Sequence, residues 1–206
     1  MTNSHNPWVT RTPEPVTEPQ PAAIHHRPSP ATGPTAPQPG VPAPARGAQL
    51  AVREVWSTPA LWVLGTHGGA GESTLAGLAP SWESAEHTWP RPVSGLPAPV
   101  LLVARTHMRG LLSARAAATQ WAAGMVPHAD VVGLVLIADA PGRLPRALRE
   151  LAQVVSGGVP RTWTVPWHES WRLSESPTLA DAPRAARRVV DELHGIIPNP
   201  RADGVS

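Results

Sequence analysis

Four short apolar runs, each followed by a segment rich in helix-forming residues, constrain the fold of this chain more than any other feature. The runs are ALWVLG (60–65), PVLLVAR (99–105), VVGLVLIAD (131–139) and RTWTVPW (161–167). They do not alternate apolar with polar residues, which indicates strands covered on both faces. The helical segments are one that starts at Glu72 and those at 110–124, 145–155 and 182–196. Strands alternating with helices predict a three-layer α/β/α domain with a mainly parallel sheet.

Proline marks the domain boundaries. Twelve of the 27 prolines lie within the first 44 residues, where apolar periodicity is missing. Residues 1–48 are therefore predicted to be a disordered, partly polyproline arm, either a solvated tether or a docking segment for a partner. Residues 49–199 are predicted to form the folded domain, and residues 200–206 a flexible C-terminus.

Composition excludes several classes of protein. The chain has no cysteine, which excludes disulfides and thiolate metal sites. No apolar run approaches the ~20 residues that cross a bilayer, and no basic and then apolar stretch opens the chain. We therefore expect a cytoplasmic protein without membrane contact.

The loop GTHGGAGEST (65–74) follows the first apolar run and has the glycines of a phosphate-binding turn. In such a turn, backbone N–H groups surround a phosphate, a lysine reaches it, and the next hydroxyl holds Mg²⁺. Ser73 occupies the position of that hydroxyl, but Glu72 stands where the lysine belongs. All 17 basic residues of the chain are arginine, so no lysine elsewhere can replace it.

This loop carries a resemblance to a known superfamily. HGGAGES (67–73) resembles the deviant Walker A motif K-G-G-x-G-K-[ST] of the ParA/MinD-like P-loop NTPases, with His67 and Glu72 in place of both lysines. The later runs resemble the strands and the I-P-x-D segment of that superfamily. The combination HGGAGEST, DAPGRLP and VPW resembles an actinobacterial family of unknown function whose loop lacks lysine.

The resemblance implies a P-loop NTPase-like fold and a place for Mg-ATP or Mg-GTP, with Ser73 as the magnesium ligand if a nucleotide binds. The implied nucleotide-binding residues are Thr66, His67, Gly68, Gly69, Ala70, Gly71, Glu72, Ser73, Thr74 and Arg105.

One segment departs from the superfamily pattern. A ParA/MinD-like enzyme has two strands, with a switch and a Walker B aspartate, between the loop helix and the next run. Here APSWESAEHTWPRPVSGLPA (79–98) is rich in proline and has no apolar run, so we expect that it cannot hold both strands. Asp139 is either a Walker B aspartate or part of a turn, Asp-Ala-Pro-Gly.

Glu72 opposes nucleotide binding on electrostatic grounds. One unit charge pair at 4 Å is worth about 4 kcal/mol at an effective dielectric near 20. Exchanging an attraction for a repulsion therefore removes much of the roughly 8 kcal/mol of a micromolar affinity. A carboxylate suits the first turn of a helix, and we expect Glu72 to fold back and plug the pocket, paired with Arg105.

The other candidates have ordinary alternatives. His67, His107 and His168 are either a metal site or polar loop residues, and His168 is also a weak acid/base candidate. Trp163, Trp167 and Trp171 form either a wall beside the site or part of the core. Two arginine sets are either solvated faces or nonspecific DNA contacts: Arg143, Arg146 and Arg149, and Arg184, Arg187 and Arg188.

The sequence favours a non-catalytic pseudo-NTPase of the ParA/MinD-like group, acting through a protein partner as a binding or regulatory component. The resemblance suggests plasmid or mobile-element maintenance or DNA transfer, with no cofactor bound. The alternative is an active ATPase or GTPase in which an arginine or a partner supplies the missing charge.

Overall fold

The computed structural model describes residues 30–173 and 178–197. Two strands and one short helix open the folded part: β1 (Val52–Val55), β2 (Leu61–Gly65) and α1 (Glu72–Ala76). The middle comprises β3 (Trp82–Ser84), β4 (Trp89–Pro92), β5 (Ala98–Arg105), α2 (Met108–Ala122) and β6 (Ala129–Ile137). It ends with α3 (Arg146–Ser156), β7 (Thr162–Val165), α4 (Ser170–Leu173) and α5 (Arg184–His194). A 3-10 turn at Arg46–Ala48 precedes β1.

The main sheet has five strands in the order β3-β2-β5-β6-β7, and every neighbouring pair is parallel. Strands β1 and β4 form a separate parallel pair. The predicted α/β class with a parallel sheet is confirmed, and the strands predicted from the four apolar runs are β2, β5, β6 and β7.

Helices cover both faces of the sheet. Alternate residues of β5 show this directly: Val100 and Leu102 pack in one core with α2 and α3, while Leu101 and Val103 pack in the other with α1 and α5. A strand that must be apolar on both faces has no polar positions left, which is why these runs are continuous.

The expectation for residues 79–98 was wrong, because that segment holds two short strands, β3 and β4. Each begins at a buried tryptophan, Trp82 at 5% exposure and Trp89 at 0%. One large indole at each strand anchors three or four residues without the apolar run that a longer strand needs. Strand β1, which pairs with β4, was also not anticipated.

Part of the predicted arm, within residues 30–48, contacts the folded domain. Thr32 and Gly33 donate their backbone N–H groups to the carbonyl of Pro160, at 2.9 and 3.3 Å, and Gln38 N–H donates to Ala122 O at 2.8 Å. Val41 packs against the core of α2 and α3. Residues 1–29 of the predicted arm, and the predicted C-terminal segment 200–206, lie outside the described residues.

Gln120 of α2 joins the segment before β1 to the domain. Its carboxamide oxygen accepts from Leu50 N–H at 2.9 Å and from the Trp89 indole N–H at 3.0 Å, and its amide nitrogen donates to Leu50 O at 3.0 Å. The side chain is 3% exposed, so water cannot replace these bonds.

Across the described ranges, no helix has the length and apolarity that a membrane span requires.

We expect Gln120→Ala to lower the free energy of unfolding by at least about 2 kcal/mol, since it leaves buried groups of Leu50 and Trp89 unpaired. Urea denaturation followed by circular dichroism measures this. Gln153→Ala, at an exposed position of α3, is the matched control and should change stability by less than about 0.5 kcal/mol. Equal effects of the two substitutions would contradict the role given to Gln120.

Candidate functional site

The candidate site lies at the carboxyl ends of the parallel strands. The chain passes from β2 to β3 on one side and then returns to β5 on the other side of β2. Helices α1 and α2 consequently pack on opposite faces. In open α/β sheets, ligands bind in the crevice where the strand order reverses. The glycine-rich loop (65–74) follows β2 and therefore lies at that crevice.

The backbone conformation favours glycine at two positions of the loop. Gly69 and Gly71 have φ of +75° and +98°, in the left-handed region that favours glycine. A Cβ on Gly71 would also lie 2.7 Å from Ile137 Cδ1, at the end of β6. The loop is thus pressed against the neighbouring strand ends and leads into the five residues of α1.

Glu72 is buried at 5% exposure, and its partner is His87. The His87 Nδ1–H group lies 2.8 Å from Glu72 Oε2 and 3.0 Å from the carbonyl oxygen of Gly65. The His87 backbone N–H adds a bond to Glu72 Oε1 at 3.3 Å. A Cβ at Gly65 would lie 2.8 Å from both Glu72 Oε2 and His87 Nδ1, so only glycine leaves room for this pair.

Arg105 does not fill the role expected for it as the partner of Glu72. Its Nε donates to Gly69 O at 3.3 Å, and its Nη1 donates to Ala138 O at 3.0 Å. These bonds tie the glycine-rich loop to the end of β6 across the end of β5. The guanidinium therefore binds backbone carbonyls at the mouth of the crevice.

His67 and His107 occupy the crevice between β2 and β5, with ring centroids 5.0 Å apart in an edge-to-face arrangement. His67 Nε2 accepts from Arg105 N–H at 3.1 Å, which leaves the proton on Nδ1 to donate to Gly68 O at 2.8 Å. His107 Nδ1 accepts from Gly110 N–H at 3.0 Å and caps α2. Each imidazole is thus assigned to a structural hydrogen bond.

Burial lowers the pKa of His67 below its ordinary value of 6.5, and the positive fields of His107, His87 and Arg105 lower it further, although its hydrogen bond to Gly68 opposes the shift. A neutral imidazole is also what the bond from Arg105 N–H requires, because a protonated Nε2 cannot accept.

Two hollows flank the crevice. One, of about 240 Å³, lies in front of the loop, and its charged lining residues are Glu72, Glu86 and, when protonated, His87. The other, of about 560 Å³, lies past the ends of β5, β6 and β7 and has mainly apolar walls such as Leu144, Leu148 and Trp167.

The remaining predicted loop residues have varied surroundings. Ser73 is exposed and Thr74 half-buried, while Ala70 is fully buried. Thr66 is 3% exposed, and its hydroxyl has no hydrogen-bond partner among the described residues.

Asp139 is exposed at the rim of the larger hollow, and its backbone N–H donates to Thr106 Oγ1 at 3.2 Å. His168 is exposed, with Nδ1 2.7 Å from Ser170 Oγ. The described ranges contain no group of three side chains placed to hold a metal ion. Of the three histidines considered for a metal, the structure brings His67 and His107 into contact.

Trp163 belongs to the core, at 8% exposure, with its indole N–H donating to Glu192 Oε2 at 2.9 Å. Trp167 lines the larger hollow, and Trp171 packs at the edge of the core of α1 and α5. Of the two roles considered for these tryptophans, Trp163 is therefore part of the core, and Trp167 forms part of a wall beside the site.

Sequence reasoning missed His87, the residue that holds Glu72. It lies in AEHTW, between β3 and β4, where no recognised motif marks it. Only the placement of β3 beside β2 brings His87 to the loop.

The family profile of DUF6668, described as a family of unknown function, matches residues 59–190. The chain belongs to this family. The matched span begins just before β2 and ends within α5, so it includes the glycine-rich loop and the whole five-stranded sheet. Neither the curated proteins nor the solved structures contain a significant match to the chain.

We expect His87→Ala to lower the free energy of unfolding by about 1–3 kcal/mol, because it leaves the buried carboxylate of Glu72 with fewer donors. Chemical denaturation at pH 7 measures this loss. His168→Ala, an exposed histidine outside the loop, is the control and should be nearly neutral. A stable His87→Ala protein would show that the pair does not hold the loop.

The pKa shift of His67 predicts acid sensitivity. Because its pKa is lowered in the folded state, the unfolded state binds more protons below about pH 6.5, and stability falls as the pH drops through that value towards the lowered one. His128, whose pKa burial also lowers, acts in the same direction. Melting temperatures between pH 7.5 and 5 should fall less steeply for His67→Gln than for the wild type. Parallel curves would refute this assignment.

Proposed function

We propose that this chain is a non-catalytic, P-loop-derived protein of the ParA/MinD-like type that acts as a binding or regulatory component and does not hydrolyse nucleotide. The loop keeps the glycine positions of a phosphate-binding turn but lacks its lysine. The buried Glu72–His87 pair, at 2.8 Å, is the observation that carries the proposal.

The pair opposes a phosphate in two ways. The carboxylate repels a triphosphate where a lysine would attract it, a difference of several kcal/mol at protein surfaces. Its hydrogen bonds to His87 and its burial also fix it in place, so turning it away from the loop would cost the protein stability.

The hollow in front of the loop is also unsuited to a nucleotide. Its volume of about 240 Å³ is below the 300–1,000 Å³ usual for small-molecule sites. Glu86 adds a second carboxylate to its lining. A triphosphate with its nucleoside would therefore meet both steric and electrostatic resistance.

The biological role is proposed from the sequence resemblance. It suggests a cytoplasmic protein in plasmid or mobile-element maintenance or in DNA transfer, working through a protein partner. The exposed Arg184, Arg187 and Arg188 of α5 would supply the contacts to DNA phosphates if DNA is bound.

An active ATPase or GTPase is the second candidate, and the position of Arg105 favours it. This guanidinium already reaches the carbonyl of Gly69 within the loop, at 3.3 Å. A rotation of its side chain towards the loop amides would bring a cation to a bound phosphate. In that case Ser73 would be the magnesium ligand.

Calorimetric titration of ATP, GTP and ADP with Mg²⁺ separates the two candidates. We expect no binding to the wild type and micromolar binding to Glu72→Lys. Glu150→Lys makes the same charge change on exposed α3 and should stay silent. Circular dichroism verifies that each variant is folded. If Glu72→Lys unfolds, Glu72→Gln replaces it in the titration, because this substitution removes the repulsion between the carboxylate and a phosphate without adding a positive charge. Micromolar binding to the wild type, lost in Arg105→Ala, would overturn the proposal in favour of the enzyme.

A further inference from the structure

A cleft of about 980 Å³ lies between α5 and the start of β7, and we call it the α5 cleft. Strand β7 is the last strand of the sheet among the described residues, so within that part of the chain one of its edges has no neighbouring strand. Thr162, Trp163 and Thr164 of β7 form one wall, and the polar face of α5 forms the other. Pro30 and Thr32 lie at its margin.

Four arginines line the α5 cleft against two carboxylates. Arg184, Arg187 and Arg188 share one face of α5 by their helical spacing, and Arg161 precedes β7. Arg188 is bound to Glu192 at 2.8 Å. Arg184 and Arg187, in contrast, form no hydrogen bond or ion pair with any residue in the ranges 30–173 and 178–197. The cleft therefore presents two uncommitted guanidinium groups.

Thr162 adds a third group without a partner to the same lining. Its hydroxyl oxygen is buried and has no hydrogen-bond partner within the described part of the chain. Buried hydroxyls are almost always paired, so an unpaired hydroxyl on a residue that lines the cleft is unusual. Guanidinium groups favour carboxylates and phosphates, which they bind through two parallel N–H bonds.

The first described residues of the chain are bound at the margin of the α5 cleft. The N–H groups of Thr32 and Gly33 both bind Pro160 O, just before Arg161 and β7. A side chain at position 33 would collide with the carbonyl of Val159, so Gly33 permits this close approach. The 29 residues before Pro30 are therefore tethered at the margin of the α5 cleft.

Those 29 residues contain two acidic side chains, Glu14 and Glu18, both within PEPVTEP (13–19). Glu18 precedes Pro30 by twelve residues, a length of chain that reaches at most roughly 40 Å at full extension. Tethering at this length gives an effective concentration on the order of millimolar. The reach of this segment, its negative charge and its local concentration are thus all compatible with binding to the arginines of the α5 cleft.

We propose that residues 13–19 bind in the α5 cleft, with the carboxylates of Glu14 and Glu18 on Arg184 and Arg187. The segment then covers the arginines that any external polyanion would use, so the arm and such a partner compete for one surface. This contact is independent of the glycine-rich loop and holds whether or not that loop binds a nucleotide.

The absence of cysteine allows a single spin label to be placed cleanly in the full chain. With a nitroxide on Val16→Cys, we expect the amide signals of residues 162–164 and 184–188 to lose more than half of their intensity, relative to the reduced label. Mixing labelled unenriched chains with unlabelled ¹⁵N chains should produce no loss, because the contact is within one chain.

Two charge variants test the chemistry. Glu14→Gln with Glu18→Gln, and separately Arg184→Gln with Arg187→Gln, should restore these signals. Arg143→Gln with Arg149→Gln, which removes two arginines elsewhere, should not. Full broadening that survives both of the first variants would overturn the proposal. So would an unbroadened cleft whose Arg184 signal shifts when tripolyphosphate or a Glu-rich peptide is added, since the cleft would then serve an external anion.

Discussion

The burial of both faces of the central strands is the constraint on which the rest of the structure depends. Residues 61–64 and 100–104 are at most 3% exposed, so helices must cover each side of the sheet. The crossover connections between parallel strands contain those helices. Because the strands are parallel, their carboxyl ends all lie at one edge of the sheet. The glycine-rich loop, the His67–His107 contact and the larger hollow all share that edge as a consequence.

At this edge, the charged and polar side chains near the glycine-rich loop are held in hydrogen bonds with one another and with the backbone. Glu72 is bound by His87, His67 accepts from Arg105 N–H, and the Arg105 guanidinium is held by two carbonyls. Each bond satisfies a group that would otherwise be costly at a partly buried position. A ligand entering here would have to replace several such bonds at once, and the chain has no lysine whose charge could offset that loss.

The sequence was sufficient for the long elements and insufficient for the short ones. Apolar runs in the sequence predict strands β2, β5, β6 and β7, and the position of Gly71 in the loop indicates the turn into α1. Strands β3 and β4 depend on single buried tryptophans, which no periodicity reveals. The partner of Glu72 was missed for the same reason: His87 is fifteen residues away along the chain and reaches the loop only through the pairing of β3 with β2.

The distribution of charge connects the two proposals. The hollow before the loop is lined by Glu72 and Glu86, whereas the α5 cleft is lined by four arginines. A chain with a net charge of only +2 attracts polyanions through such local concentrations of charge and not through its overall field. Under these two proposals, an anionic partner would bind at α5 and not at the loop, and Glu14 and Glu18, which precede Pro30, would compete with it for that surface.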